Sequence, residues 1–206
     1  MENTRAKTTR NSLILLLTAT IWGMAFVSQS KGMDYMHPFT FNGVRSLIGA
    51  AGILVYILIS RKIAGDKAAK LDWKQNVRAG LLCGIFMTIA STLQQFGIKY
   101  TSVGKAGFIT TLYIIFVPMF GIFLKKKVAP VVWAAAGMAA VGMYLLCMTE
   151  SLRLGAGDIM VFLCAIAFAI QIMTLDHYAA RNDGAEVSCI QFTVCGVVCC
   201  IGALIW

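Results

Sequence analysis

Seven long apolar stretches, separated by short polar ones, account for most of the 206 residues. They run approximately over Ser12–Ser30, Phe39–Ser60, Val77–Ile98, Ala106–Leu124, Val131–Met148, Asp158–Leu175 and Val187–Trp206. Each has nearly the length of a membrane-crossing helix, since a hydrocarbon core of about 30 Å takes about 20 residues at about 1.5 Å per residue. Lipid offers no hydrogen bonds to a bare backbone, so such stretches are predicted to be helices; a membrane barrel would show shorter, alternating strands. The predicted fold class is all-α, a polytopic transmembrane bundle of about seven spans. The joints fit it. Gly32–Pro38 is a turn, Arg61–Asn76 is polar, Lys125-Lys126-Lys127 precede Pro130, and Asp158 after Gly155 is an expected N-cap.

Composition agrees with lipid as the surrounding medium. The chain is 59% apolar and only 13% charged. Its mean hydropathy is +0.77. A water-soluble chain of this size needs more polar surface. The net charge of +9 lies in the joints and is read as topogenic, with no nucleic acid as partner. With the N-terminus inside, Arg5, Lys7, Arg10, Arg61, Lys62, Lys67, Lys70, Lys74, Arg78, Lys125, Lys126, Lys127 and Arg181 fall on the cytoplasmic side, and only Lys31, Lys99, Lys105 and Arg153 fall outside. The bias predicts a cytoplasmic N-terminus in a cell (inner or plasma) membrane. The first apolar run is expected to serve as both insertion signal and first span, with no cleavable signal peptide.

Cys83, Cys147, Cys164, Cys189, Cys195, Cys199 and Cys200 all lie in apolar runs and are read as small packing residues. Neither a metal nor a cofactor is expected. No nucleophile–base pair, His/carboxylate cluster, phosphate loop or dinucleotide fingerprint is visible, so an enzyme is not expected.

Residues Ala19–Phe26 (ATIWGMAF) and Ala165–Ile172 (AIAFAIQI) each lie in a span followed by a polar loop and a second span. Asn42 and Gln191 take matching places in those second spans. The second unit begins five spans after the first, an odd offset, so a repeat would be inverted in the membrane, as in many transporters.

The runs Leu16–Gln29, Pro38–Arg45 (PFTFNGVR) and Tyr100–Pro118 (YTSVGKAGFITTLYIIFVP) resemble the EamA-type family of the drug/metabolite transporter superfamily. Val141–Leu146, Gly157-Asp158, Leu175–Tyr178 and Gln191-Phe192 are similar to it too. The resemblance implies two five-helix halves. Residues 1–148 would form the first, and 158–206 the start of the second, with three helices lacking at the C-terminal side. It also implies alternating-access transport of small metabolites, amino-acid-like or otherwise polar or amphipathic, with the lipid bilayer and the solute as partners. A non-transporting bundle and an inactive fragment are the alternatives.

Polar groups within lipid need a reason to be there. Arg45, with Asn42 and Gly49 on its face, is a candidate for attracting an anionic solute, or else pairs within the bundle. Gln94, Gln95, Thr110 and Tyr113 are cavity candidates, against a role as interhelical glue. Trp22 could stack on a solute, or simply pack. Gln171 and Gln191 are the corresponding polar groups of the second unit. Pro118 removes an N–H and is expected to kink its helix, a candidate gating joint. Lys105 is expected to snorkel to headgroups. Asp176 and His177 sit at an inner helix end, where a proton relay is conceivable and solvation commoner. Gly80 and Gly84 suit close helix contact, within the chain first and with a second copy (a homodimer) next.

Overall fold

The computed structural model describes residues 2–64, 73–123, 128–147, 155–179 and 182–206. Among these, α1 spans Glu2–Gly32, α2 Pro38–Ala64, α3 Trp73–Tyr100, α4 Val103–Thr111, α5 Tyr113–Phe123, α6 Pro130–Cys147, α7 Ala156–Ala179 and α8 Gly184–Ile205. Over its described residues, each expected apolar stretch is helical apart from Leu112 and Trp206. Six helical segments are long and apolar enough to cross a membrane, with α4 and α5 together making one of them, and α6 supplies a shorter seventh. Lys67, Lys70, Lys125, Lys126, Lys127, Arg153, Arg181 and most of the Thr149–Gly157 turn lie outside the described residues.

The helix starts follow local chemistry. Pro38 opens α2, where a missing N–H costs nothing, and the His37 carbonyl accepts the Phe41 N–H at 3.0 Å. Ser102 caps α4 by accepting the Lys105 N–H at 3.3 Å. Asp183 caps α8 by accepting the Ala185 N–H at 2.8 Å.

Helix order in space differs from order in the chain. α3 packs along both α7 and α8, α8 packs along α2, and α4 and α5 lie between α7 and α6. Small residues allow the closest approaches. A Cβ on Gly80 would lie 2.6 Å from Ile190 Cβ, and one on Gly84 would lie 2.8 Å from Val194 Cβ. The GxxxG pair is therefore spent on α3–α8 contact within the chain, which leaves no room there for a second copy. A Cβ on Gly97 would meet the Gly157 carbonyl oxygen at 2.9 Å, so α3 and α7 touch backbone to backbone.

α1 stands apart. Among the described residues its main contacts are with α3 and α4, Gly32 at its end lies against the Phe41 ring of α2, and every residue from Thr8 to Met24 is exposed. Leu13, Ile14, Leu15, Leu16 and Leu17 are exposed in succession, so all sides of this helix are bare. Only apolar surroundings suit such a surface.

The span carrying Pro118 is interrupted at Leu112, between α4 and α5, and not at the proline. There the ladder tightens to three-residue spacing: Leu112 N–H reaches the Ile109 carbonyl at 3.2 Å, and Ile115 N–H reaches the Leu112 carbonyl at 2.9 Å. A proline ring crowds the carbonyl four residues earlier, here Ile114. The break accordingly precedes Pro118, which lies buried inside α5.

Candidate functional site

Past that break, α5 separates from α6 and α7 and leaves a cavity of about 530 Å³. Tyr113, Val117 and Pro118 line it from α5, Val132 from α6, and Ile172, Met173 and Asp176 from α7. The wall is apolar except for the Tyr113 hydroxyl and the Asp176 carboxylate. Of the sequence candidates, Tyr113 and Pro118 meet here. Asp176, read as a solvated helix end, is exposed and also borders the cavity.

Arg45 lies elsewhere. It is on an open face of α2, beside a groove of about 360 Å³ shared with Met36, Thr40, Phe41, Val44 and Ile48. Its Nη2 donates to Asn42 Oδ1 at 3.3 Å. The guanidinium sits 5.7 Å from the Phe41 ring centroid, within cation–π range. Among the described residues no carboxylate pairs with it. A charge at this depth is costly against hydrocarbon, so this face belongs against protein, water or solute. Trp22 is 49% exposed on α1 and lines neither space.

The remaining candidates hold helices together. Asn42 is buried and donates from Nδ2 to the Ser91 carbonyl at 2.9 Å. Gln94 Nε2 donates to Thr110 Oγ1 at 3.2 Å, joining α3 to α4. Gln95 Nε2 donates to the Gln29 carbonyl at 3.3 Å, tying α3 to α1. Gln171 Nε2 donates to Gln191 Oε1 at 2.9 Å, across α7 and α8. These are interhelical bonds made by side chains that lipid would leave unsatisfied. Replacing Gln171 or Gln191 alone by Leu is expected to cost about 1 kcal/mol. The double variant should lose less than the sum, because no lone amide remains. Unfolding of the purified protein in mixed micelles measures both, and additive losses would remove this bond from the account.

Two buried carboxylates escaped the sequence reading of the site. Asp158, expected as a cap, instead lies in the first turn of α7 and reaches back to accept the Gly155 N–H at 2.9 Å. It also accepts from the Thr101 hydroxyl and pairs with Lys105 at 3.7 Å. Lys105 therefore does not snorkel to headgroups. It is held inward by this charge, which binds the start of α4 to α7. At the opposite end, Glu186 in the first turn of α8 pairs with Arg61 of α2 and accepts from Asn76 Nδ2 of α3 at 2.5 Å. The signal was present: both are acids at the edge of an apolar run, in a chain with only nine acids.

Six helical segments of spanning length, a seventh shorter one, and polar side chains bonded between helices define a multi-pass membrane protein whose medium is the bilayer. Residues 10–148 match the model of the EamA-like transporter family, and the chain belongs to that family, hence to the drug/metabolite transporter superfamily. It is also similar to an uncharacterized transporter of Archaeoglobus fulgidus, with 30% identity over 175 residues, covering 82% of this chain and 50% of the relative. The chain thus spans about half the length of the curated relative it matches.

Proposed function

We propose that this chain takes part in moving a small solute across the membrane by alternating access, and that the cavity between α5, α6 and α7 holds the solute. The observation that carries the reading is that cavity, placed just after the interruption at Leu112. Its volume lies within the range of about 300–1,000 Å³ typical of small-molecule sites. Its apolar wall with one hydroxyl and one carboxylate suits an amphipathic solute of amino-acid size, with the polar group toward Tyr113 or Asp176. A span broken into α4 and α5 supplies a joint about which α5 can move, with Pro118 lowering the cost of bending. Arg45, on an open face and with no carboxylate partner among the described residues, is read as a second contact of the permeation path that favours anionic groups. In this reading α7 and α8 repeat α1 and α2 with reversed orientation, and the N-terminus is cytoplasmic, as the basic joints favour.

The test is flux in proteoliposomes with a panel of labelled metabolites. Saturable flux is expected, with at least a tenfold loss in Ile172→Trp or Val132→Trp, which fill the cavity, and a smaller loss in Arg45→Ala. Saturable flux that ignores both tryptophans would move the site elsewhere. In the same membranes Lys62→Cys should react with impermeant maleimide from the cytoplasmic side only; reaction from outside would reverse the topology.

A further inference from the structure

Arg45 is held by residues that are themselves held. Its Nη2 donates to Asn42 Oδ1, its sole hydrogen bond among the described residues. Asn42 is fully buried, and its Nδ2 is committed to the Ser91 carbonyl of α3. That bond decides which end of the amide is offered to Arg45: the oxygen, which a guanidinium needs. The Phe41 ring is the second support, 5.7 Å from the guanidinium. It is seated against Gly32 at the end of α1, where a Cβ would come within 2.6 Å of the ring. Ordering an arginine side chain costs rotamer entropy. Contacts reaching α1 and α3 meet much of that cost before any ligand arrives. The remaining N–H groups of the guanidinium have no acceptor among the described residues.

The groove beside it is about 360 Å³, near the lower end of the range of about 300–1,000 Å³ for small-molecule sites. Met36, Phe41, Val44 and Ile48 make it apolar, and Thr40 adds one hydroxyl. Charge then defines the ligand. A guanidinium fork matches a carboxylate through two parallel hydrogen bonds. No second cation lines the groove; Lys31 lies outside it, 4.0 Å from Asp34. A dianionic phosphate monoester would therefore keep one charge unpaired in apolar surroundings. No carboxylate lines the groove either, so the ammonium of a free amino acid finds no partner there. The space takes one ring or one short chain, and not the two acyl chains of a phospholipid.

We propose that this groove is a second binding site, separate from the cavity between α5, α6 and α7, for a monocarboxylate that carries one apolar ring or short chain and no amine. The carboxylate pairs with Arg45, Asn42 and Phe41 act as positioning residues, and the apolar part lies along Val44 and Ile48. Only the place of this site on a permeation path rests on the transport reading; the binding does not.

The test reads binding without flux. Met36→Cys puts a thiol on the groove wall, with Cys147, Cys189 and Cys200 replaced by serine; Cys83, Cys164, Cys195 and Cys199 are fully buried. In phosphatidylcholine nanodiscs, phenylbutyrate should slow the reaction of this thiol with a water-soluble maleimide, and the slowing should saturate. Phenylbutyramide, of the same shape without the charge, should not. Arg45→Gln lies on an exposed face and should fold as the parent does, yet raise the half-protecting concentration at least about tenfold. Arg45→Lys keeps the charge without the fork and should recover only part of the protection. Asn42→Ala should weaken protection with Arg45 still present. Ile172→Trp, which fills the other cavity, should leave it unchanged. Equal protection by acid and amide, protection that survives Arg45→Gln, or protection that vanishes in Ile172→Trp would overturn the proposal. So would a thiol already shielded without the probe, by a second copy or another helix. Shielding by added phosphatidylglycerol that the acid cannot displace would make it a lipid site and overturn it too. Flux that ignores the tryptophan variants would refute the cavity and leave this site standing.

Discussion

Gly157→Val is expected to cost about 3 kcal/mol of folding stability, at the upper end of overpacking penalties, and to leave little monodisperse protein in mild detergent. The reason is the nature of the obstacle. A Cβ at Gly157 would lie 2.8 Å from the Gly97 carbonyl oxygen and 2.8 Å from the Tyr100 carbonyl carbon. Both are backbone atoms of α3, so no rotamer change clears them and the two helices must separate. Separation is costly because α3–α7 is among the most extensive contacts of the fold, and Gln94 and Gln95 lie in the same part of α3. Native stabilities are only about 5–15 kcal/mol, so one such change removes a large fraction. Gly52→Val is the matched control: nothing lies within 4 Å of a Cβ there, and the change is expected within about 1 kcal/mol of the parent. Unfolding by a denaturing detergent in mixed micelles gives both numbers. Equal stability of the two variants would mean that α3 and α7 do not meet at these glycines.

Asp158→Leu should be at least as damaging, for an electrostatic reason. The carboxylate is 4% exposed and its partner Lys105 is 18% exposed, so neither charge has much access to water. Removing the acid leaves an ammonium, a hydroxyl and a backbone N–H facing an alkyl group. Breaking a buried pair from one side costs about 3–5 kcal/mol. Lys105→Met should cost less, since Asp158 keeps the Gly155 N–H and the Thr101 hydroxyl. The discriminating quantity is the double variant. With both charges gone no ion is stranded, and its loss should fall short of the sum of the single losses by about 1–3 kcal/mol. Strict additivity would mean that Lys105 and Asp158 do not interact, and that the start of α4 is fastened to α7 by other contacts.

The candidate site was only partly legible in the chain. Tyr113 and Pro118 were marked as a hydroxyl and a helix breaker within an apolar run, and they line the cavity. Thr110, one turn before Tyr113 and also a cavity candidate, does not join it, because the helix is interrupted at Leu112 between α4 and α5. Thr110 is instead buried against Gln94. Spacing arguments assume one continuous helix, and a single tightened turn defeats them. The GxxxG pair was expected to pack within the chain, and it does, against Ile190 and Val194 of α8. Lys105 was misread because snorkelling was weighed without Asp158, which lies 53 positions further along the chain.

What could be known in advance was the number and length of the apolar segments and their helical state. Lipid imposes these on each segment separately: a span must be long enough, must bond its own backbone and must keep its charges at the ends. Which polar side chains are bonded and which stay open was decided only in three dimensions. Asn42 meets Ser91, Gln171 meets Gln191, and Glu186 meets both Arg61 and Asn76, through partners that no helical period connects. Arg45 and the Tyr113 cavity stay open because no described helix covers them. A helix face tells which residues point together, while the identity of what they point at depends on how the helices pack.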